Sequence, residues 1–73
     1  MNDTVRAKLL TGRLRHDRHE TTWAGKGNGS SCDGCDRAIA DTDVEIEVDF
    51  PDHQTLRFHQ SCFEDWCSQA AEV

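Results

Sequence analysis

The chain contains few of the residues that build a large hydrophobic core. Among its 73 residues tyrosine is absent, and there are one proline, one methionine and only 7% aromatic residues. A chain of this length buries a small fraction of its surface on folding, which leaves little room for an apolar core. Domains of this size usually need a disulfide, a metal ion or a partner as an additional constraint. We therefore expect a single small core whose stability depends on such a constraint.

Targeting and membrane signals are also missing from the sequence. The N-terminus is polar and its longest apolar run is Leu9-Leu10, so it does not resemble a secretory signal peptide. No stretch reaches the roughly 20 consecutive apolar residues that a membrane-spanning helix needs. These absences predict a cytoplasmic protein with no membrane partner, in which the four cysteines stay reduced.

Positive charge is scarce in the second part of the chain. Residues 31–73 carry eleven acidic and two basic residues, a net charge of −9. Residues 1–30, the N-terminal arm, carry six basic and three acidic residues, a net charge of +3. Because an acidic surface repels phosphates, residues 31–73 are expected to bind polyanions poorly. Any contact with nucleic acid would have to come from the N-terminal arm.

The cysteines that are present form a metal-binding pattern. Cys32 and Cys35 form a C-x2-C pair, and His59 and Cys62 form an H-x2-C pair after a spacer of residues 36–58. Three thiolates and one imidazole are a usual closed ligand set for structural zinc, and they leave no open coordination position. Two disulfides or free thiols are the alternatives. The spacing predicts one structural Zn2+ bound by Cys32, Cys35, His59 and Cys62.

Other potential ligands fit the pattern less well. Cys67 could replace His59, but it lies five residues after Cys62 on a predicted helix, so the two side chains diverge by more than a quarter turn. We predict instead that Cys67 is a small buried residue. His16 and His19 have ligand-like spacing, but no further donors cluster with them, so they are predicted to be surface histidines.

A β-hairpin is predicted between the two ligand pairs. Apolar and polar residues alternate over residues 44–50 and again over residues 55–58, which predicts two strands. The turn residues at 51–53 join them into a hairpin. An even register pairs Glu47 with Arg57, whereas a slip by one residue would bury a charge. The side chains predicted to face inward are Val44, Ile46, Val48, Phe50, Leu56 and Phe58.

Helices are predicted on both sides of this hairpin. Residues 2–11 form a short predicted helix, and Gly12 can end it in the left-handed conformation. A second helix carries the H-x2-C pair at its start, where Ser61 and Glu64 form a capping-box pattern. Its spacing places four residues on one predicted apolar face, Phe63, Trp66, Cys67 and Ala70.

The glycine-rich stretch over residues 23–31 is predicted to be a linker into the metal site. A phosphate-binding loop is the alternative, but no apolar strand precedes the glycines and no helix follows them. Burial of Trp23 would tie the N-terminal arm to the metal module, and an exposed Trp23 that contacts a partner is the alternative. The predicted division is a basic helix and Gly-rich linker at 1–31 and a zinc-binding domain at 32–73.

The order of these elements resembles that of a treble-clef zinc finger, in which a knuckle, a hairpin and a helix carry the ligands. Residues 32–39 and 58–63 also resemble the first zinc-binding half of a LIM domain, although no second Cys/His quartet follows. The chain is similar as well to small uncharacterised bacterial zinc-binding proteins with a basic N-terminal helix and a C-x2-C…H-x2-C-x3-W module, here ending at Trp66. These resemblances imply an α+β, treble-clef-like module, and they imply no particular function.

No catalytic constellation accompanies the metal pattern, so the sequence predicts a protein that is not an enzyme. The C-x2-C pair lacks the βαβ surroundings of a thioredoxin-type site. The acidic charge and the small size favour a protein-interaction or regulatory adaptor whose partner is another protein. The alternative is a nucleic-acid-binding regulator that uses basic residues of the N-terminal arm, namely Arg6, Lys8, Arg13 and Arg15.

Overall fold

The structure, a computed structural model, describes residues 3–15 and 21–70 as a small α+β fold. Within those residues two helices accompany a three-stranded antiparallel sheet in the order β1-β2-β3. Neither helix has the length and apolar composition that crossing a bilayer requires. The elements are α1 (Asp3–Leu10), β1 (Thr21–Lys26), β2 (Val44–Asp49), β3 (Thr55–His59) and α2 (Gln60–Ala70).

Strands β2 and β3 form the predicted hairpin, and the predicted register is confirmed. Val48 lies opposite Leu56, and Glu47 lies opposite Arg57. On the outer face of the sheet, the Arg57 guanidinium donates to the Glu47 carboxylate at 3.1 Å. The inward prediction for Val44 is wrong: its side chain is 43% exposed. Val44 is the first residue of β2, where the sheet extends past the core.

A three-residue turn closes the hairpin, as the spacing predicts. The Phe50 amide donates to the Gln54 carbonyl at 2.9 Å, and the His53 amide donates to the Phe50 carbonyl at 3.0 Å. His53 has a φ of 72°, in the left-handed region. A turn followed by one left-handed residue is a common geometry for three-residue hairpin loops. Pro51 suits the first turn position because its ring already sets the required φ.

The glycine-rich stretch begins as a strand, which corrects the predicted linker. β1 pairs with β2 from Thr21 opposite Asp49 to Lys26 opposite Val44. Apart from a half-buried Thr21, its side chains are exposed, so no hydrophobic alternation marks it in the sequence. Its conformation depends on pairing with β2 rather than on burial. The exposed alternative for Trp23 is the one observed, with 59% of the side chain accessible.

The core lies between the inner face of the hairpin and the two helices. The Trp66 ring stacks on Phe58 with 5.3 Å between centroids and meets Phe50 edge-on at 6.3 Å. The Trp66 indole also donates to the Arg15 carbonyl at 2.8 Å, so the segment after α1 is tied to α2. Residues from both predicted parts of the chain, 1–31 and 32–73, contribute to one hydrophobic cluster. The division of the chain at residue 31 stays a prediction. The cluster contains Val5, Leu9, Leu14, Cys32, Ile39, Ile46, Val48, Phe50, Leu56, Phe58, Cys62 and Trp66.

Helix α1 has the predicted position and end. It buries Val5 and Leu9, one turn apart on its inner face. Gly12 follows the helix with a φ of 77°, the left-handed conformation that glycine adopts without a steric penalty. The predicted first residue, Asn2, lies outside the described residues.

Helix α2 differs from its prediction in its start and in its buried face. It begins at Gln60, directly after β3, so Ser61 lies inside the first turn and not before it. The buried side chains are Cys62, Trp66 and Gln69, which follow one another at helical spacing. Cys67 is exposed, contrary to its predicted burial, because it is rotated by about 100° from Trp66. The predicted neighbours Phe63 and Ala70 are half-buried.

A close backbone approach at Gly27 supplies a test of this packing. Gly27 is buried, and a Cβ there would lie 2.8 Å from both Cγ2 and the carbonyl oxygen of Ile39. We expect Gly27→Ala to lower the free energy of unfolding by about 1–3 kcal/mol through overpacking. Chemical denaturation of the metal-loaded protein measures the change.

Gly25→Ala is the matched control, because no atom lies within 4 Å of the Cβ position at Gly25. Its effect should stay within about 0.5 kcal/mol. Equal destabilisation by the two substitutions would contradict the packing described for Gly27.

Candidate metal centre

The four predicted donors come from three segments that the fold brings together. Cys32 and Cys35 lie in the knuckle, residues 32–35, between β1 and β2. His59 is the last residue of β3, and Cys62 lies in the first turn of α2. Because α2 follows β3 without a loop, the H-x2-C pair spans the junction of strand and helix and both side chains reach the knuckle.

The donor atoms of Cys32, Cys35, His59 and Cys62 all lie within 4.8 Å of one another. His59 Nδ1 is 3.3 Å from the Cys35 sulfur. A tetrahedral zinc ion with bonds of about 2.0–2.3 Å needs donors about 3.5–3.8 Å apart, so the cluster has the dimensions of a metal site. No disulfide joins any of the four cysteines, all of which lie among the described residues, so the disulfide alternative is without support. His16 and His19 lie outside the described residues.

The imidazole of His59 is oriented by its second nitrogen. Nε2 lies 3.1 Å from the Ala38 carbonyl oxygen, a distance at which Nε2–H donates. The other ring nitrogen, Nδ1, lies on the side of the Cys35 sulfur, at 3.3 Å, and belongs to the donor cluster. Metal-binding histidines usually have such a partner on the nitrogen opposite the metal, because it sets the tautomer and the ring orientation. The spacing of ligands in the sequence does not indicate Ala38 as this partner.

Backbone and side-chain hydrogen bonds join the knuckle to β3. The Asp33 amide donates to the Arg57 carbonyl at 2.7 Å, and the Arg57 amide donates to the Asp33 carboxylate at 2.8 Å. The His59 amide points at the Cys32 sulfur at 3.4 Å.

Gly34 is required at the knuckle for space. A Cβ at this position would lie 3.0 Å from Cys62 Cβ and 3.0 Å from Val5 Cγ2. The left-handed residue of this segment is Asp36, with a φ of 68°, rather than Gly34. The knuckle is therefore packed directly against α2 and α1, and any side chain at Gly34 would push the two ligand pairs apart.

Burial controls the protonation of the sulfur ligands. Cys32 is 1% exposed and Cys62 is 4% exposed. Burial, followed by the charge of Cys32 and hydrogen bonds with Cys32 and Cys35, raises the pKa of Cys62 to about 12. Without a cation the Cys62 thiol therefore keeps its proton at neutral pH. A divalent ion must displace that proton, so metal affinity is expected to fall as the pH is lowered.

A lysine of α1 connects that helix to the knuckle. Lys8 Nζ donates to the Asp33 carbonyl at 2.9 Å and to the Asp36 carboxylate at 2.5 Å. Its side chain is only 13% exposed. Lys8 is one of the basic residues that the nucleic-acid alternative uses, whereas in the structure it contacts the knuckle. Periodicity alone does not reveal this role, because the acidic partner is 28 residues away in the chain.

Comparison with known proteins returned no match from any family model, any curated protein or any solved structure. The interpretation of the site therefore rests on its geometry and chemistry.

One metal ion per chain is expected, and zinc is the ion that a closed tetrahedral Cys3His set usually holds. Its binding energy in modules of this kind is folding energy, on the order of 10 kcal/mol. Cys62→Ser should therefore remove the metal and the amide protection of residues 32–70. Native mass spectrometry with elemental analysis gives the stoichiometry, and hydrogen exchange reports the folding.

Cys67→Ser is the matched control, since its sulfur is exposed on the same helix and lies outside the donor cluster. It should retain one metal ion and native exchange protection. A reduced, folded protein without metal, or equal damage by the two substitutions, would show that the cluster is not a structural metal site.

Proposed function

We propose that this chain is a zinc-stabilised module that serves as a small protein-interaction or regulatory adaptor and has no catalytic activity of its own. The observation that carries the proposal is the closed Cys3His cluster at the junction of β3 and α2. Four protein donors fill a tetrahedral zinc ion and leave no position for a substrate or a reactive water. Such a site holds the fold together, and its surroundings are then available for binding.

The order of the elements supports a treble-clef-like arrangement. The knuckle, the β2–β3 hairpin and α2 follow one another, and the ligands lie on the knuckle and at the start of the helix. Strand β1 and helix α1 are additions before the knuckle. A set of reduced thiols that bind zinc is typical of a reducing compartment, so we place the protein in the cytoplasm.

The positions of the basic residues favour a protein partner over nucleic acid. Lys8 pairs with Asp36 of the acidic part of the chain. Arg15 donates to both carboxylate oxygens of Asp52 at 2.9 Å and lies over the Phe50 ring. Two of the four basic residues assigned to nucleic-acid binding are thus neutralised within the chain. This leaves too few exposed charges for the counterion release that drives strong binding to phosphates.

A nucleic-acid titration tests the alternative function. Labelled, metal-loaded protein should show no submicromolar affinity for mixed-sequence duplex DNA or RNA near 150 mM salt, because its net charge is −6. Submicromolar binding that is lost in an Arg6→Gln, Arg13→Gln double variant would establish the nucleic-acid function instead. Both arginines are exposed on the N-terminal arm, so these substitutions should leave the fold intact.

A capture experiment in the native host tests the adaptor function. Cross-linking with the full chain as bait should recover a protein partner that persists after nuclease treatment. Cys62→Ser should lose this partner because the module unfolds, whereas Cys67→Ser should keep it. A bait that captures no protein above the level of the Cys62→Ser variant would refute the adaptor function.

A further inference from the structure

The free edge of β1 and the exposed ring of Trp23 form one continuous surface of the sheet. We propose that this surface binds an extended peptide segment of a partner protein that carries lysine or arginine at alternate positions. The segment would add a fourth strand next to β1 and place a cationic side chain over the indole. This inference rests on the proposed adaptor function, since it names the docking surface and the chemistry of the partner.

The two edges of the sheet have different surroundings among the described residues. The outer edge of β3 is covered by the knuckle, because Asp33 exchanges two hydrogen bonds with the backbone of Arg57. Two residues further along β3, the amide of His59 faces the same edge and points at the Cys32 sulfur. A second strand therefore has no access to this part of β3. Only the β1 side offers an open edge among residues 3–15 and 21–70.

The outward backbone groups of β1 follow from its pairing. The Gly27 amide donates to the Asp43 carbonyl at 3.0 Å, which makes these two residues a hydrogen-bonded pair at the end of the ladder. Because such pairs alternate in an antiparallel ladder, odd-numbered residues of β1 bond to β2. In the described part of the chain no backbone partner reaches the even-numbered residues. The N–H and C=O groups that face the free edge are those of Thr22, Ala24 and Lys26.

Trp23 is held in place beside this edge. Its indole N–H donates to Asp49 Oδ2 at 3.1 Å, and the other oxygen of Asp49 accepts from the Thr55 hydroxyl at 3.0 Å. The ring is thus fixed on the outer face of the sheet while 59% of the side chain stays accessible. An aromatic side chain that is already ordered loses little entropy when a ligand covers it.

The charge of the outer face selects the ligand. Glu45, Glu47 and Asp49 point to this face from β2, and Arg57 of β3 pairs with Glu47 at 3.1 Å and approaches Glu45 at 3.9 Å. Carboxylates therefore outnumber guanidinium groups beside the indole. A lysine or arginine over the indole gains a cation–π interaction and the attraction of these acids. Gly25 leaves open space opposite Glu45, so a long cationic side chain can approach across β1.

A second copy of the chain is a less suitable occupant of the edge. Each copy has a net charge of −6. Edge-to-edge pairing through β1 would extend the sheet and place two acidic outer faces on the same side. Like charges on neighbouring surfaces disfavour such an association. Peptides that add a strand to an exposed edge obtain affinity from main-chain hydrogen bonds and specificity from alternate side chains, which fits a cationic segment.

The proposal can be tested by NMR titration of the zinc-loaded, 15N-labelled full chain. The probe is a capped heptapeptide of alternating threonine and lysine, and the control peptide has glutamate in place of lysine. The lysine peptide should shift the amide signals of β1 and the indole signal of Trp23, with binding that weakens as salt is raised. The glutamate peptide should cause no such shifts.

Substitutions at Ala24 and at Trp23 test the contributions of the strand edge and of the indole ring separately. Ala24→Pro removes an outward N–H without touching the hydrogen bonds to β2, and Ala24→Val keeps that N–H. The proline variant should bind the lysine peptide more weakly than the valine variant, with the hairpin signals of both unchanged. Trp23→Ala should weaken binding about two- to fivefold, as expected for an exposed cation–π contact. Leu10→Ala, at a 64% exposed apolar side chain of α1, should have no effect.

Several results would overturn this inference. The first is that both peptides bind equally, and the second is that no amide signal shifts at millimolar lysine peptide. The third is that Ala24→Pro and Trp23→Ala both bind the lysine peptide as tightly as wild type. The fourth is that sedimentation shows a dimer of the wild-type chain that Ala24→Pro dissociates. If the captured partner binds wild type, Ala24→Pro and Trp23→Ala equally, the docking surface is refuted while the adaptor function stands. If the wild-type chain captures no partner, the adaptor function itself fails.

Discussion

The convergence of three sulfurs and one imidazole nitrogen is the constraint on which the rest of this structure depends. The knuckle, β3 and α2 each contribute donors. The two ligand pairs are kept in register because the Asp33 carboxylate accepts from the Arg57 amide and the Ala38 carbonyl accepts from the His59 ring. Cys32 and Cys62 are buried and Cys35 is half-buried, so three neighbouring thiolates would repel one another strongly unless a cation joined them. A metal ion bound there would supply the stability that a core of this size lacks, and it would fix the position of the hairpin against the helix.

Charge complementarity within the chain attaches the N-terminal segment to this centre. Lys8 reaches the knuckle, and Arg15 reaches the hairpin turn and the Phe50 ring. The basic arm thus neutralises part of the acidic half of the protein. Part of the remaining acidic charge lies on the outer face of the sheet, where Glu45, Glu47 and Asp49 share a single Arg57. The same charge asymmetry explains both how the N-terminal segment docks and why we expect a cationic partner.

The open edge of β1 is the other consequence of the fold. Proteins usually protect an exposed edge with charge, proline or a covering segment. The knuckle covers the β3 edge, whereas in the described residues β1 carries only Lys26 as a charged residue. Within the described residues, an edge whose one charged residue is Lys26, next to an exposed tryptophan held by Asp49, is consistent with a surface used for binding.

The sequence by itself determined the features that depend on short spacing. The ligand set follows from two pairs of donors, and the hairpin register follows from alternation around the turn at Pro51. Only the tertiary structure decided that residues 21–26 form a strand, that Trp23 and Cys67 are exposed, and that Lys8 and Arg15 bind acidic partners. These features depend on groups far away in the chain: β1 has no hydrophobic pattern of its own, and the rotation of α2 follows from the packing of Trp66 against Phe50 and Phe58. Local periodicity carries no information about such contacts.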